Sequence, residues 1–193
     1  MKRALAMMAL VITVYSLPAS GQKDSSGIYL TATDFRQGKL SYAINYTIEK
    51  HKIKDNLLFN ESEVKVKHRG NIYALKKKDI YGYRDTKGID FRFLDNKACQ
   101  VLNKTDKLIL YELQTPTSIG GKGNFKFIST FYFSKDIQST PQPLTKANLK
   151  AAYPGNHKFH DALEVTFKDD NDLSAFDSFH NKFKVVHVLE MNQ

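Results

Sequence analysis

A chain of 193 residues with 29 Lys and Arg, 20 Asp and Glu and a single cysteine carries a formal charge of +9 and cannot close an internal disulfide. The basic residues are scattered, and Lys76-Lys77-Lys78 is their one run of three. That dispersion argues against a dedicated nucleic-acid binder, and no nucleic-acid partner is expected.

Residues 1–21 have the make-up of a secretory signal peptide. Lys2 and Arg3 form a basic start, residues 4–17 are apolar, and Pro18-Ala19-Ser20-Gly21 offers small residues for cleavage after Gly21. The apolar run is short for a membrane span of about 20 residues. No cysteine follows it to carry a lipoprotein anchor. The expectation is export to the bacterial periplasm or medium, with no transmembrane segment after cleavage. Residues 22–193 then form one β-rich domain whose part from about residue 145 is helical.

Residues 22–27 are polar and expected as a loose tail. Residues 28–35 and 40–46 are β-branched and aromatic and flank Gln37-Gly38, which predicts a hairpin. Residues 47–62 form a polar connection. Residues 64–69 and 72–77 flank Gly70-Asn71, a second hairpin. Val64, Val66, His68, Tyr73, Leu75 and Lys77 share one of its faces. Lys65, Lys67, Arg69 and Lys76 make a basic strip on the other, read mainly as a solvated face.

The hairpin at residues 76–93 anchors the sheet. Asp85-Thr86-Lys87-Gly88 is a turn in which Asp bonds backbone amides just ahead and Gly takes the left-handed conformation. Its register opposes Arg84 to Asp90, Tyr83 to Phe91 and Tyr81 to Phe93. One face then carries Tyr81, Tyr83, Phe91 and Phe93. The other, expected to be charged and solvated, carries Ile80, Gly82, Arg84, Asp90 and Arg92.

Residues 98–102 and 108–113 are further strands around the polar turn at Asn103-Lys104-Thr105-Asp106. Residues 114–124 form a surface loop. Its Gly120-Gly121-Lys122-Gly123 does not have P-loop spacing. Residues 125–134 are very apolar and predict a central strand. Pro141 and Pro143 make a linker, and Thr145 caps a helix over 146–153. A second helix is predicted over 157–167. A third is predicted over 173–183, with His180 on its apolar stripe. Residues 185–189 fit either helix or strand.

No catalytic motif stands out. His157, His160, Asp161 and Glu164 form a helical stripe of metal-ligand types. It is also what an amphipathic helix leaves outside, and no metal or other cofactor is expected. Cys99 is read as a small buried residue. Asp79, Asp85, Asp90, Asp95 and Glu112 are the carboxylates available for a hydrolytic pair. The sequons at Asn45, Asn60 and Asn103 matter only in a eukaryotic route.

The chain resembles a recurrent type of uncharacterised exported bacterial protein with a β-rich body and a helical tail. The matching pieces are Gly27-Ile28-Tyr29-Leu30-Thr31, Ile80-Tyr81-Gly82-Tyr83-Arg84, Ile109-Leu110-Tyr111, Phe159-His160-Asp161-Ala162-Leu163 and Phe176-Asp177-Ser178-Phe179-His180. The resemblance implies an envelope location and carries no activity or residue roles.

The expected fold is α+β: an antiparallel meander of about eight to ten strands, curled or partly closed, with C-terminal helices packed on it. The expected role is non-catalytic binding in the envelope. An aromatic and basic surface of Tyr81, Tyr83, Arg84, Lys65 and Lys67 would meet an envelope protein, an anionic glycan or a lipid. The alternatives are a small secreted hydrolase, working through a carboxylate pair or a His-assisted nucleophile, and a structural assembly component.

Overall fold

The turn at Asp85 sets the register of the main sheet. Its Oδ1 accepts from the amides of Lys87 and Ile89, both at 2.8 Å. Gly88 sits at φ 77°, a conformation that costs other residues free energy. Tyr83 consequently opposes Phe91 and Arg84 opposes Asp90.

The computed structural model describes residues 25–45, 52–54, 61–119 and 125–193. The expected leader at 1–21, the Asn60 sequon, most of the connection at 47–62 and the glycine-rich stretch at 120–123 lie outside the described residues. In chain order come β1 (Ser25–Tyr29), α1 (Ala32–Gln37), β2 (Ser41–Asn45), β3 (Lys52–Lys54), β4 (Glu63–His68) and β5 (Asn71–Lys76). Next are β6 (Gly82–Arg84), β7 (Asp90–Leu94), β8 (Lys97–Val101), β9 (Ile109–Ser118), β10 (Phe125–Ser134) and β11 (Gln142–Pro143). The tail holds α2 (Lys146–Ala152), α3 (His157–Thr166), β12 (Phe176–Asp177), β13 (Lys182–Phe183) and α4 (Lys184–Met191).

Eight strands form one antiparallel sheet in the order β11-β10-β9-β8-β7-β6-β1-β2. The sheet is not closed. The meander from β6 to β10 is expected from sequence; β11 forms where a linker was expected, and the chain's first two described strands extend the sheet beyond β6. Strands β3, β4 and β5 form a separate small sheet, and β12 pairs with β13.

Strand alternation gives the main sheet two faces. On one, Ile28, Tyr83, Phe93 and Ala98 pack with Val64 and Val66 of the small sheet. Further along the same face, Leu110 and Phe133 lie in a core with Leu149, Phe159, Leu163 and Leu189 of the C-terminal helices. The opposite face buries Tyr29, Cys99, Ile109 and Tyr111 with Phe35 of α1 and Ile137. Full burial of each such large side chain contributes about 1.5–3 kcal/mol before entropy is counted.

Several local expectations change. Ser25, Ser26 and Gly27 are buried in β1 and are not a tail. The first hairpin contains a helix, because Thr31 and Asp34 form a reciprocal capping box and Phe35 anchors α1 in the core. The second hairpin turns at Arg69-Gly70, both left-handed at φ 49° and 82°. His68 therefore opposes Asn71, and the assignment of faces is kept. The third helix is a correction. Asp169 and Asp172 cap a short 3-10 turn at Asp170–Ser174. The chain then folds back as β12 and β13, with Asn181 left-handed and the Phe176 ring against Phe183. Residues 185–189 belong to α4.

The strand at 125–134 is not central. β11 pairs with it at Tyr132 and Phe133, and β8 pairs with β9 at Tyr111 and Glu112. The outer halves of β9 and β10 run past both neighbours as a two-stranded ribbon. The apolar character of residues 125–134 reported a strand there correctly, whereas residues 114–118, expected as loop, continue β9; position in a sheet depends on how long the neighbouring strands are.

Candidate functional site

The five residues expected to line one binding surface are separated by the fold. Tyr83 is buried, its ring stacked on Phe91 at 4.8 Å. Tyr81 is the clearest correction: it does not share a face with Tyr83 and Phe93. Ile80 packs with Tyr83, whereas Tyr81 crosses to the opposite face. The alternation breaks here because β6 begins only at Gly82. Tyr81 lies against Phe35 at 5.1 Å and beneath the Arg92 guanidinium at 4.8 Å. Lys65 and Lys67 are exposed on β4, on the side opposite Val64 and Val66. They oppose Ala74 and Ile72 of β5 in the small sheet, away from Arg84.

The face expected to be charged and solvated is buried. Asp90 is 5 % exposed and Arg92 8 %. The Asp90 carboxylate accepts from the Tyr29 hydroxyl at 2.7 Å and from Arg84 Nε at 2.8 Å and Nη2 at 3.2 Å. It also pairs with Lys104. Burial alone would raise its pKa; the bonds from Arg84, Lys104 and Tyr29 outweigh that and hold it below the usual carboxylate range. Arg92 Nη1 donates to the Tyr111 hydroxyl at 2.9 Å, which shares a bond with Ser134 Oγ at 2.9 Å. Ser134 in turn donates to the Asp136 carbonyl at 2.6 Å. The polar groups of Asp90, Arg92, Tyr29, Tyr111 and Ser134 are satisfied in this way, which is what their burial requires. Asp85 is similarly occupied in its turn, so neither it nor Asp90 stands free as half of a hydrolytic pair.

Two members of the helical stripe, Glu164 and His160, are committed to structure. Glu164 accepts from Lys146 Nζ at 2.9 Å and pairs with Lys150. Those two bonds draw its pKa down to about 2. His160 Nε2 lies 2.9 Å from the Tyr153 carbonyl. His180, expected in the core, is exposed; its ring stacks on His187 at 4.1 Å and Nδ1 meets Asp177 at 2.7 Å. Among the described residues no group of three or more His, Cys, Asp or Glu is placed to hold a metal ion.

A cleft of about 360 Å³ opens where the sheet end meets the helices, lined in part by Asp106, Lys107, Lys135, Asp136, Tyr153 and Asn156. Its groups are largely tied to one another. The Tyr153 hydroxyl donates to the Lys107 carbonyl, Lys107 Nζ reaches Gln193, and Lys135 Nζ lies over the Tyr153 ring at 5.3 Å. Asp136 Oδ1 caps the amides of Gln138 and Ser139 at 2.8 and 2.7 Å. Burial, helped by Asp136, pushes the Tyr153 hydroxyl up to about 12, so it stays protonated at neutral pH.

The surface that stands out is the ribbon. Phe125, Phe127 and Ile128 on β10 are 52, 54 and 50 % exposed, and Ile119 beyond β9 is exposed as well. Phe125 and Phe127 share a face with Pro116, Gln114 and Ser118 of β9; Ile128 lies on the other with Thr115. Contiguous exposed apolar side chains of this kind mark interaction surfaces. The signal in the sequence was the aromatic-rich run at residues 125–134, at a length that exceeds its neighbours. Among the described residues no helix is long and apolar enough to cross a membrane. No protein-family model, curated protein or solved structure matches the chain.

Proposed function

We propose that the chain is a non-catalytic binding protein of the exported, envelope-associated kind, and that it works by protein–protein contact through the β9–β10 ribbon. The observation that supports this reading is the half-exposure of Phe125, Phe127 and Ile128 on a strand pair that extends past both neighbours. Water beside such side chains is released on contact, and the open strand edges supply directional hydrogen bonds to a partner. An aromatic and basic groove for a glycan or lipid has less support, because Tyr81 and Tyr83 lie in two different cores and Arg84 is bound to Asp90.

The test is site-specific photo-cross-linking in intact cells. A photoreactive residue replacing Ile128 is expected to give discrete protein adducts. The same residue replacing Val165, which is 88 % exposed on α3, is expected to give none. Equal yields from the two positions, or none from Ile128, would overturn the reading.

A further inference from the structure

The two edges of the ribbon are chemically different. Leu102 N donates to the Leu110 carbonyl at 2.9 Å, so the main-chain groups of Leu110 face β8. Alternation along β9 then turns those of Gln114, Pro116 and Ser118 to the same side, away from β10. Pro116 has no N–H, so this edge is blunted against strand addition. Leu144 N donates to the Phe131 carbonyl at 3.0 Å on the β11 side. The main-chain groups of Phe125, Phe127 and Ser129 therefore point outward along an edge of β10 that no strand among the described residues covers, each with its N–H and C=O intact. The two deductions agree, since Pro116 opposes Phe127 and Gln114 opposes Ser129 in the register.

Resting on the reading of the ribbon as an interaction surface, we propose that its partner is a second copy of this chain: two β10 edges pair antiparallel about a two-fold axis at Phe127, joining two eight-stranded sheets into one. The sequence of the edge fits itself in that register. Phe127 meets its counterpart, Phe125 lies opposite Ser129, which leaves room for a ring, and Lys126 lies opposite Ile128 and never opposite itself. Each of the three outward residues donates and accepts one hydrogen bond. The segment's single cation gives nothing with which to select an acidic strand, whereas its apolar side chains match their own symmetry mates. The interface is isologous, and Pro116 stops growth at the other side of the ribbon, so the assembly closes at two. Strand β5, another exposed edge, is guarded by Lys76 and its neighbours Lys65 and Lys67 on β4.

Sedimentation velocity from low to high micromolar protein tests this. The 22.0 kDa chain is expected to move from monomer to a species of twice that mass, and to do so more readily as salt screens the repulsion between two basic copies. Phe127→Pro removes one outward N–H without touching the β9 pairing. It is expected to hold the protein monomeric while thermal unfolding stays close to wild type. Phe127→Thr, which keeps the N–H, is expected to weaken the dimer less. Because Cys99 is buried, new surface thiols can be read alone: Phe127→Cys is expected to oxidise to an interchain disulfide and Lys126→Cys to remain reduced. A dimer indifferent to Phe127→Pro, or equal cross-linking from both cysteine variants, overturns the proposal. A monomer at every concentration whose Ile128 position still captures another protein in cells overturns the second-copy assignment and leaves the interaction reading standing. A monomer that captures nothing overturns both.

Discussion

Asp90, itself buried, holds the Arg84 guanidinium and the Tyr29 phenol where water barely reaches, with the half-exposed Lys104 at the rim. With the carboxylate gone, Arg84 and Lys104 face each other across the position and Tyr29 loses its acceptor. Removing one partner of such a buried set costs about 3–5 kcal/mol, mostly the penalty of the charges left behind. Asp90→Ala is expected to lose that much, measured by urea unfolding at neutral pH. Acid has a related effect. The folded-state pKa of Asp90 lies below the unfolded value, so its ionised form favours the fold. The contribution is complete above the ordinary carboxylate range near about pH 4 and is lost as pH falls through the lowered folded value. Between those limits Asp90→Asn is expected to show a shallower loss of stability with acidification than the wild type. Parallel curves would mean that the fold does not lower the pKa of Asp90.

At the scale of the element, the bend at Tyr81-Gly82 does what a regular strand could not. It sends Ile80 and Tyr83 to one core and Tyr81 to another. A Cβ at Gly82 would sit 1.9 Å from the Phe91 carbonyl oxygen, so β6 and β7 approach as closely as they do only because the side chain is absent. Gly82→Ala is expected to cost on the order of 2–4 kcal/mol, read as a lowered urea midpoint. An unchanged midpoint would show that β7 moves away at little cost. The neighbouring turn was legible in the sequence because its information is local: Asp85 and Gly88 fix the loop, and alternation fixes the register. The break at Tyr81 was not, since it arises from Tyr29 and Leu30, whose carbonyls both accept from the Tyr81 amide. The burial of Asp90 was hidden for the same reason, as its phenol partner lies 61 positions away in the chain. The ribbon was half legible. Its strand character lies in residues 125–134, but its exposure depends on where β8 and β11 stop. The helix expected over 173–183 failed because apolar spacing was weighed above the capping chemistry of Asp169 and the left-handed Asn181.

For the molecule as a whole, Cys99 is a built-in reporter. It is 1 % exposed on β8, among Tyr29, Ile109 and Tyr111. Burial pushes its thiol up to about 11, so the reactive thiolate is scarce at neutral pH and the sulfur is also out of reach. Labelling by a thiol reagent is expected to be negligible in the native protein and to rise with denaturant in step with loss of circular dichroism. Fast labelling without denaturant would mean that the α1 side of the sheet opens on its own, apart from global unfolding.

The place of β1 in the strand order has a consequence for how the chain is assembled in time. Strands β6 to β10 lie beside their sequence neighbours, few residues apart in the chain, so that block is able to form as it emerges from the ribosome or a translocation channel. β1 emerges before all of it, yet one of its two partners is β6, met more than fifty residues later: Gly27 pairs with Arg84 and Tyr29 with Gly82. Its buried Ser25–Tyr29 segment must therefore wait, docked on β2 alone, until β6 has been delivered. The leading end of the described chain thus stays half paired while more than fifty further residues are delivered, and that interval is when a chaperone or protease would find it.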